Sequence, residues 1–512
     1  MELDGRQWWG LPHREILSGL VVAFAMIPEA IAFSGIAGVA PEAGLFGAFC
    51  LAVTLAVVGG RTAMITSATG STALLMTGLV ERGEAAGPGM GLQFLLAAGL
   101  LTGLLQIAWG YLQLAQQMRF VPQPVMAGFV NGLALLILLA QLPQLGLDVF
   151  HPEKVAVQPG QMPAVWGLTA LTLLIIYTFP RLSRAVPSAL VAILATTALA
   201  VGLGIEVPTV ASLGTLPAGL PDFGLPRVPF SFETLGLILP TALAISLVGL
   251  METFLTQDIL DDMTDTTTSK NVEARGQGIG NIVSSLFGGM AGCALVGQSV
   301  MNVNNGARAR LSTLASGLTL LAMILLGRDW VNRIPMATLV GVMIMIAINT
   351  ANFRSLRDLR VAPKSDSSVM LLTVVITVIT HNLAIGLLAG VALAGLLFSR
   401  KVAKVIRVET RMEGPDHRLY IVRGQLFFVS VIYFRQGFDL HDHPARVTID
   451  MGEAHIWDQS GVTALDQVIR RLRLGGSRVE VVNLNPESMD LFARIGIAPE
   501  AGGRGGEPAS AH

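Results

Sequence analysis

Two carboxylates stand where a carboxylate is costly. Glu29 lies in AMIPEAIAFSG (25–35) and Glu252 in LVGLMETFLTQ (247–257), each inside a long apolar run. An ionisable side chain at membrane depth marks a functional site by default. Glu252 and Thr256 are one helical turn apart, so a carboxylate and a hydroxyl share one helix face. Such a pair can hold a proton or a small cation. The competing reading is a neutral structural carboxylate, hydrogen-bonded to backbone. If Glu29 faces the same site, two neighbouring carboxylates disfavour double ionisation, and an acid that exchanges its proton near neutral pH is what proton coupling requires.

Two short segments, TSATGSTAL (66–74) and VGQSVMNV (296–303), are too rich in Gly, Ser, Thr and Asn to cross a bilayer as plain helices. Each reads as an extended stretch leading into a half-helix, over 68–80 and 297–306. Irregular backbone at membrane depth survives only inside protein or along a wet cavity. If the helices start near Thr69-Gly70-Ser71 and Gln298-Ser299, their unpaired amides and positive dipole ends face one cavity. An anion can bind there without a basic side chain. Gly70 and Gly297 allow close backbone approach; the same glycines would also serve simple helix packing.

The elements that must position these residues are apolar helices. The chain of 512 residues is 52% hydrophobic and 13% charged, against about 25% charged in soluble domains. A net charge of -1 gives no sign of nucleic-acid binding. The two cysteines, Cys50 and Cys293, sit in apolar segments and read as packing residues, with no disulfide framework and no metal site. The first apolar run, near 16, continues into Pro28-Glu29 without a cleavage signature and reads as a membrane helix, not a signal peptide.

Long helices are expected near 16–37, 43–58, 91–115, 124–142, 163–180, 186–204, 233–260, 274–290, 307–327, 335–350, 367–383 and 384–402. With the two half-helices this makes about fourteen elements, so both termini lie on one side. Under this count basic residues divide roughly eighteen to five. Arg61, Arg181, Lys270, Arg308 and Arg400 are among the larger group, which is assigned to the cytoplasm; Arg82, Lys154, Arg227, Arg328 and Arg333 fall opposite. Asp258, Asp261, Asp262 and Asp265 then read as solvated cytoplasmic residues. Asn131, His381 and Asn382 read as packing groups rather than ligands.

The two halves share an order: a helix with a central acid, then a short polar interruption two elements later. Paired interruptions point to an inverted repeat with a site between its halves. From about 406 the pattern changes. Strand-like runs at 418–434, 446–451 and 478–484 alternate with helical ones at 458–474 and 486–496, a small α/β domain; 499–512 reads as a disordered tail.

These residues resemble the sulfate permease (SulP) family of anion transporters. GLVVAFAMIPEAIAFSGIAGVAPEAGLFGAF (19–49) is similar to the family's first-helix signature. ETFLTQDILDDMT, NVEARGQGIGN, FGGMAGCALVGQS and GARARLS follow in the order of its second-half signature. The C-terminal part resembles a STAS domain, the sulfate-transporter and anti-sigma-antagonist module.

The resemblance implies a membrane all-α fold of seven plus seven inverted helices and a cytoplasmic STAS domain. The transport domain would be 1–405, with a core (about 16–115 and 233–327) and a gate (about 120–204 and 335–402). The STAS domain would be 406–498. The substrate would sit between the half-helices, at Glu29, Phe33, Thr69, Gly70, Ser71, Gly297, Gln298 and Ser299, and move by an elevator-like shift of the core. Glu252 and Thr256 would form the coupling-ion site.

Two positions depart from the family. Glu29 stands where glutamine is usual. Gln298 stands where many members have arginine, which favours a cotransported proton or sodium ion as the source of positive charge. In the STAS domain the position that is often a phosphorylated serine is Gln459, and Ser460 reads as a helix cap.

The leading expectation is a proton-coupled secondary transporter of a small carboxylate or inorganic anion, with a slight lean to a protonatable carboxylate. Alternatives are a sodium-coupled bicarbonate or sulfate carrier, a nucleobase permease, and a membrane-anchored STAS signalling protein without flux. No cofactor is expected, and no enzyme motif is found. The expected setting is the cell membrane, with N-terminus and STAS domain in the cytoplasm. A homodimer and a cytoplasmic partner of the STAS domain are the expected associations.

Overall fold

A computed structural model describes residues 8, 11–113, 121–147, 157–182, 187–214, 219–220, 223–229, 231–414 and 416–495. The tail at 499–512 lies outside the described residues. The chain divides into two compact units, Met1–Val391 and Ala392–His512.

The first half opens with α1 (Pro12–Ala37) and α2 (Pro41–Val58). Each starts on a proline, whose missing N–H costs nothing in a first turn. The strand β1 (Thr66–Ser67) then runs into α3 (Gly70–Ala86), followed by α4 (Met90–Tyr111), α5 (Gln123–Leu139), α6 (Met162–Thr178) and α7 (Ser188–Leu203). The second half repeats the order with α8 (Phe232–Thr264), α9 (Lys270–Leu286), β2 (Cys293–Ala294) running into α10 (Val296–Asn304), and α11 (Arg310–Leu326). After the short α12 (Arg328–Asn332) come α13 (Met336–Thr350), the short α14 (Phe353–Asp358), α15 (Lys364–Thr380) and α16 (Leu383–Ala403).

Seven helices among the described residues are long and apolar enough to cross a membrane by length and composition, and α7, α11 and α13 are shorter apolar helices. Setting aside α12 and α14, the elements fall at every position expected from the sequence, with ends shifted by a few residues. The largest shift is at α3, which runs on to Ala86 where an end near 80 is expected; α8 runs from Phe232 to Thr264, 33 residues. Ser231 starts it by accepting from the Thr234 N–H.

Helices pack in two groups. One holds α1–α4 with α8–α11; the other holds α5–α7 with α13 and α15. Within the first, α4 and α9 touch backbone to backbone: a Cβ on Gly103 would lie 2.5 Å from the Gly278 carbonyl, and one on Gly278 2.5 Å from the Gly103 carbonyl. Close approach at small residues is how helices gain packing where lipid removes the hydrophobic drive.

β1 and β2 pair antiparallel, Thr66 opposite Ala294 and Ser67 opposite Cys293. Both short helices therefore leave one two-stranded ribbon. The ribbon gives buried, otherwise orphaned backbone groups their partners.

In the second unit, β3 (Arg407–Gly414), β4 (His417–Leu426), β5 (Arg446–Ile456) and β6 (Arg478–Val482) form one sheet in chain order; β3 and β4 are antiparallel and the others parallel. α17 (Val431–Gln436), α18 (Gln459–Leu474) and α19 (Pro486–Ile495) complete it. Tyr420, Ile449, Leu465 and Leu472 are in its core.

The run 418–434, expected to be strand-like throughout, is not one strand: β4 ends at Leu426, and Ser430 closes a turn by accepting from the Phe427 N–H and donating to the Gln425 carbonyl, after which α17 begins. The cap of α18 is Asp458, which accepts from the Gly461 N–H at 2.9 Å; Ser460 lies inside the helix.

Candidate functional site

The ribbon places the starts of α3 and α10 beside the two acids. The first N–H of α3 to reach a backbone carbonyl is that of Ala73, to Thr69 at 3.0 Å; in α10 it is that of Ser299, to Leu295 at 3.0 Å. The amides of Gly70, Ser71, Gly297 and Gln298 thus precede their ladders, the positions whose donors a helix leaves unused.

Each acid grips the half-helix of the opposite half. On α8, Glu252 Oε2 accepts from the Ser71 hydroxyl at 2.6 Å, at the start of α3. It also accepts from the Cys293 thiol at 2.8 Å. Thr69 closes the cluster, 3.0 Å from Ser71 Oγ and 3.2 Å from Cys293 Sγ. On α1, Glu29 Oε1 accepts from the Gln298 amide at 2.5 Å, in the first turn of α10. Glu29 is buried, and its Oε2 has no partner. Glu252 is half-buried.

Phe33, also on α1, lies over the start of α3. A Cβ on Gly70 would come within 3.0 Å of Phe33 Cε1 and of Ile137 Cδ1 on α5. The glycine lets both apolar side chains close on that helix end. Gly297 differs: nothing lies within 4 Å of where its Cβ would be, and the residue is exposed. Its lack of a side chain serves open space, not packing.

Two of the expected site residues turn elsewhere. The Thr256 hydroxyl donates to the Glu252 backbone carbonyl at 2.8 Å, not to the carboxylate. This i→i−4 bond is the local default for a threonine inside a helix. The Ser299 hydroxyl accepts from the Ile65 N–H at 2.9 Å, and its own amide is in the ladder. Ser299 ties α10 to the extended stretch of the first half instead of offering a group to a ligand.

Cys293 was read as packing, yet it touches the acid. Nothing in the local sequence signals this; it follows from the ribbon register. Asp261, read as solvated, pairs with Arg61 at 2.8 Å and accepts from Thr268 N and Oγ1. Asn131 does bind between helices, to Ser355 and to the Asn352 amide. His381 ends α15 in the left-handed region, and Asn382 accepts from the first amides of α16. Two cavities, of about 470 and 670 Å³, lie away from these residues: one between 225–238 and α4, the other beside 200–211 and 329–335.

The fold and this cluster define a multi-pass membrane transporter of the inverted-repeat type with a C-terminal α/β domain. Comparison with known proteins gives the family. Residues 13–374 match the sulfate permease family and 410–502 the STAS domain, and the chain belongs to the sulfate permease family. It is 44% identical over 490 residues to the "Putative sulfate transporter YbaR" of Bacillus subtilis (strain 168), covering 96% of this chain and 98% of that protein. It is 29% identical over 423 residues to the bicarbonate transporter BicA of Picosynechococcus sp. (strain ATCC 27264 / PCC 7002 / PR-6), covering 79% and 73%.

Among solved structures, the transmembrane domain of a cyanobacterium bicarbonate transporter BicA matches with TM-score 0.65 at 29% identity, over 74% of this chain and 97% of that one. The murine Solute Carrier 26 family member A9 anion transporter, in the inward-facing state, shares the fold with TM-score 0.81 at 17% identity, over 95% and 88%.

Proposed function

We propose that the protein is a secondary active transporter that moves a small carboxylate or inorganic anion together with a proton. The observation that carries this reading is the crosswise network: each half's acid bonds the start of the other half's short helix, where unused amides collect. The anion sits between the starts of α3 and α10, held by the amides of Gly70, Ser71, Gly297 and Gln298 and walled by Phe33. Positive charge comes from the helix ends and the coupled ion, since Gln298 supplies only a neutral donor.

Glu252 is the coupling acid. Its described partners favour a proton over sodium. A hydroxyl and a thiol both point hydrogens at Oε2. A hard cation wants several oxygen lone pairs converging on it. Glu29 Oε2, buried without a partner, is open to a proton or to a donor on the bound anion.

Transport then follows from movement of the α1–α4/α8–α11 core against the α5–α7/α13/α15 gate, an elevator-like alternating access. The charge bias of the loops supports a cytoplasmic N-terminus and STAS domain. A homodimer, and a cytoplasmic partner of the STAS domain, complete the proposal. The test is uptake of radiolabelled sulfate, bicarbonate and succinate into proteoliposomes under an imposed pH gradient or sodium gradient. Uptake driven by the pH gradient is expected. Uptake driven only by sodium would replace the proton in this scheme, and no flux of any anion would favour a signalling role.

A further inference from the structure

We propose that Cys293 is a positioning residue for Glu252: its thiol, with the Ser71 hydroxyl, holds the carboxylate against the start of α3. This rests on Glu252 as the coupling acid only for its consequence in transport; the contact itself stands on geometry.

A buried lone cysteine is ordinarily a small apolar filler. Cys293 is fully buried, but its sulfur meets polar groups, Glu252 Oε2 at 2.8 Å and Thr69 Oγ1 at 3.2 Å. Its backbone is pinned on both sides. Asn281 of α9 clasps Gly292, accepting from its N–H at 2.9 Å and donating to its carbonyl at 3.2 Å. Thr253 of α8 accepts from the Ala294 N–H at 3.2 Å. β2 also comes close to α8 where that helix has Gly249, whose Cβ would lie 3.4 Å from Cys293 Cβ. Gly249 is on the face of Glu252, three residues earlier. The thiol is thus aimed by backbone, not by a free rotamer.

The proton count agrees. Thr72 donates to the Thr69 carbonyl. Thr69 is then free to donate to Ser71 Oγ or Cys293 Sγ, while Ser71 and Cys293 donate to Glu252. Every hydrogen in the chain can point toward the carboxylate, and no described side chain donates to its Oε1.

Other titratable or charged groups on the elements packed against α8 sit away from this cluster. α3 has Glu81, Arg82 and Glu84, Glu81 being ten residues past Ser71, about 15 Å along the helix. α4 has Tyr111 at its end, α9 has Lys270, Glu273 and Arg275 in its first turns, and α10 has none. On α8 itself Glu233 opens the helix, and Asp258, Asp261 and Asp262 lie at least six residues, about 9 Å, past Glu252. Glu29 on α1 bonds to Gln298.

The experiment uses the full chain with Cys50→Ala, so that Cys293 is the single thiol, reconstituted in lipid. Infrared spectra record the S–H stretch across a pH titration, with and without Glu252→Gln. A pH-dependent S–H band that loses its pH dependence in the Glu252→Gln protein is expected. An S–H band identical in both proteins at every pH overturns the contact.

In the same samples, Cys293→Ala removes a donor to the ionised carboxylate. Such a bond is worth about 1.5 kcal/mol, so the pH midpoint of the carboxyl band should move about one unit toward alkaline pH. Cys293→Ser, which keeps a donor, should restore it. An unmoved midpoint in a folded Cys293→Ala protein also counts against the proposal. If the S–H band behaves as expected while Glu252→Gln retains wild-type pH-driven uptake, the positioning contact stands and the coupling role of Glu252 falls.

Discussion

Gln298→Leu isolates the contact that joins the first helix to the second half-helix. The Gln298 amide is the one described donor to Glu29, whose other oxygen already lacks a partner. The substitution keeps a similar volume and leaves a buried carboxyl group without any donor. A hydrogen bond to a charged group is worth about 1.5–3 kcal/mol, and an orphaned buried group adds its desolvation cost. Glu29→Leu alone strands the Gln298 amide, at about 1–3 kcal/mol. Replacing both by leucine removes the polar pair together and should cost less than the sum by about 1.4 kcal/mol or more, tenfold in an equilibrium constant. The readouts are the thermal midpoint in lipid nanodiscs and the apparent affinity for the transported anion. Both singles should lower the midpoint more than the double variant does, relative to additivity. Losses that add within about 0.5 kcal/mol would show that the two side chains do not depend on each other, and would refute the crosswise network on this side.

Gly70→Val should raise the apparent Km about fivefold or more, because a Cβ there meets Phe33 and Ile137 at 3.0 Å and overpacking costs about 1–3 kcal/mol; an unchanged Km places the anion elsewhere. Asp458→Ala should destabilise the second unit by about 1 kcal/mol through loss of the α18 cap, read by thermal unfolding, while Ser460→Ala should have little effect; the reverse order would return the cap to Ser460. Deleting residues from 408 onward should reduce the amount of active transporter but leave anion selectivity intact, since every proposed ligand precedes Val391; altered selectivity in a competition assay would implicate the STAS domain in the site.

Much of the membrane unit was legible because its signals are local. Apolar run length places the long helices, and two Gly/Ser/Thr-rich interruptions mark the half-helices. What escaped is set by register and by competition for hydrogen bonds. Cys293 and Glu252 are 41 residues apart, and only the β1–β2 pairing and the approach at Gly249 bring the thiol to the acid. Thr256 shares the face of Glu252 as its spacing requires, yet its hydroxyl finds the nearer backbone carbonyl first. Ser299 is similarly claimed by the Ile65 backbone. In the second unit, 418–434 alternates well enough to read as one strand; the Ser430 turn ends it after Leu426, a signal that β propensity alone does not weigh.

The most direct measurement is anion uptake in matched proteoliposomes, wild type against Glu252→Gln, with an inward pH gradient and with none. Wild type should accumulate the anion only with the gradient. The Glu252→Gln protein, folded and unable to release a proton there, should lose that accumulation, whether or not it still exchanges anion for anion. Gradient-driven accumulation by the Glu252→Gln protein equal to wild type would contradict the assignment of Glu252 as the coupling acid.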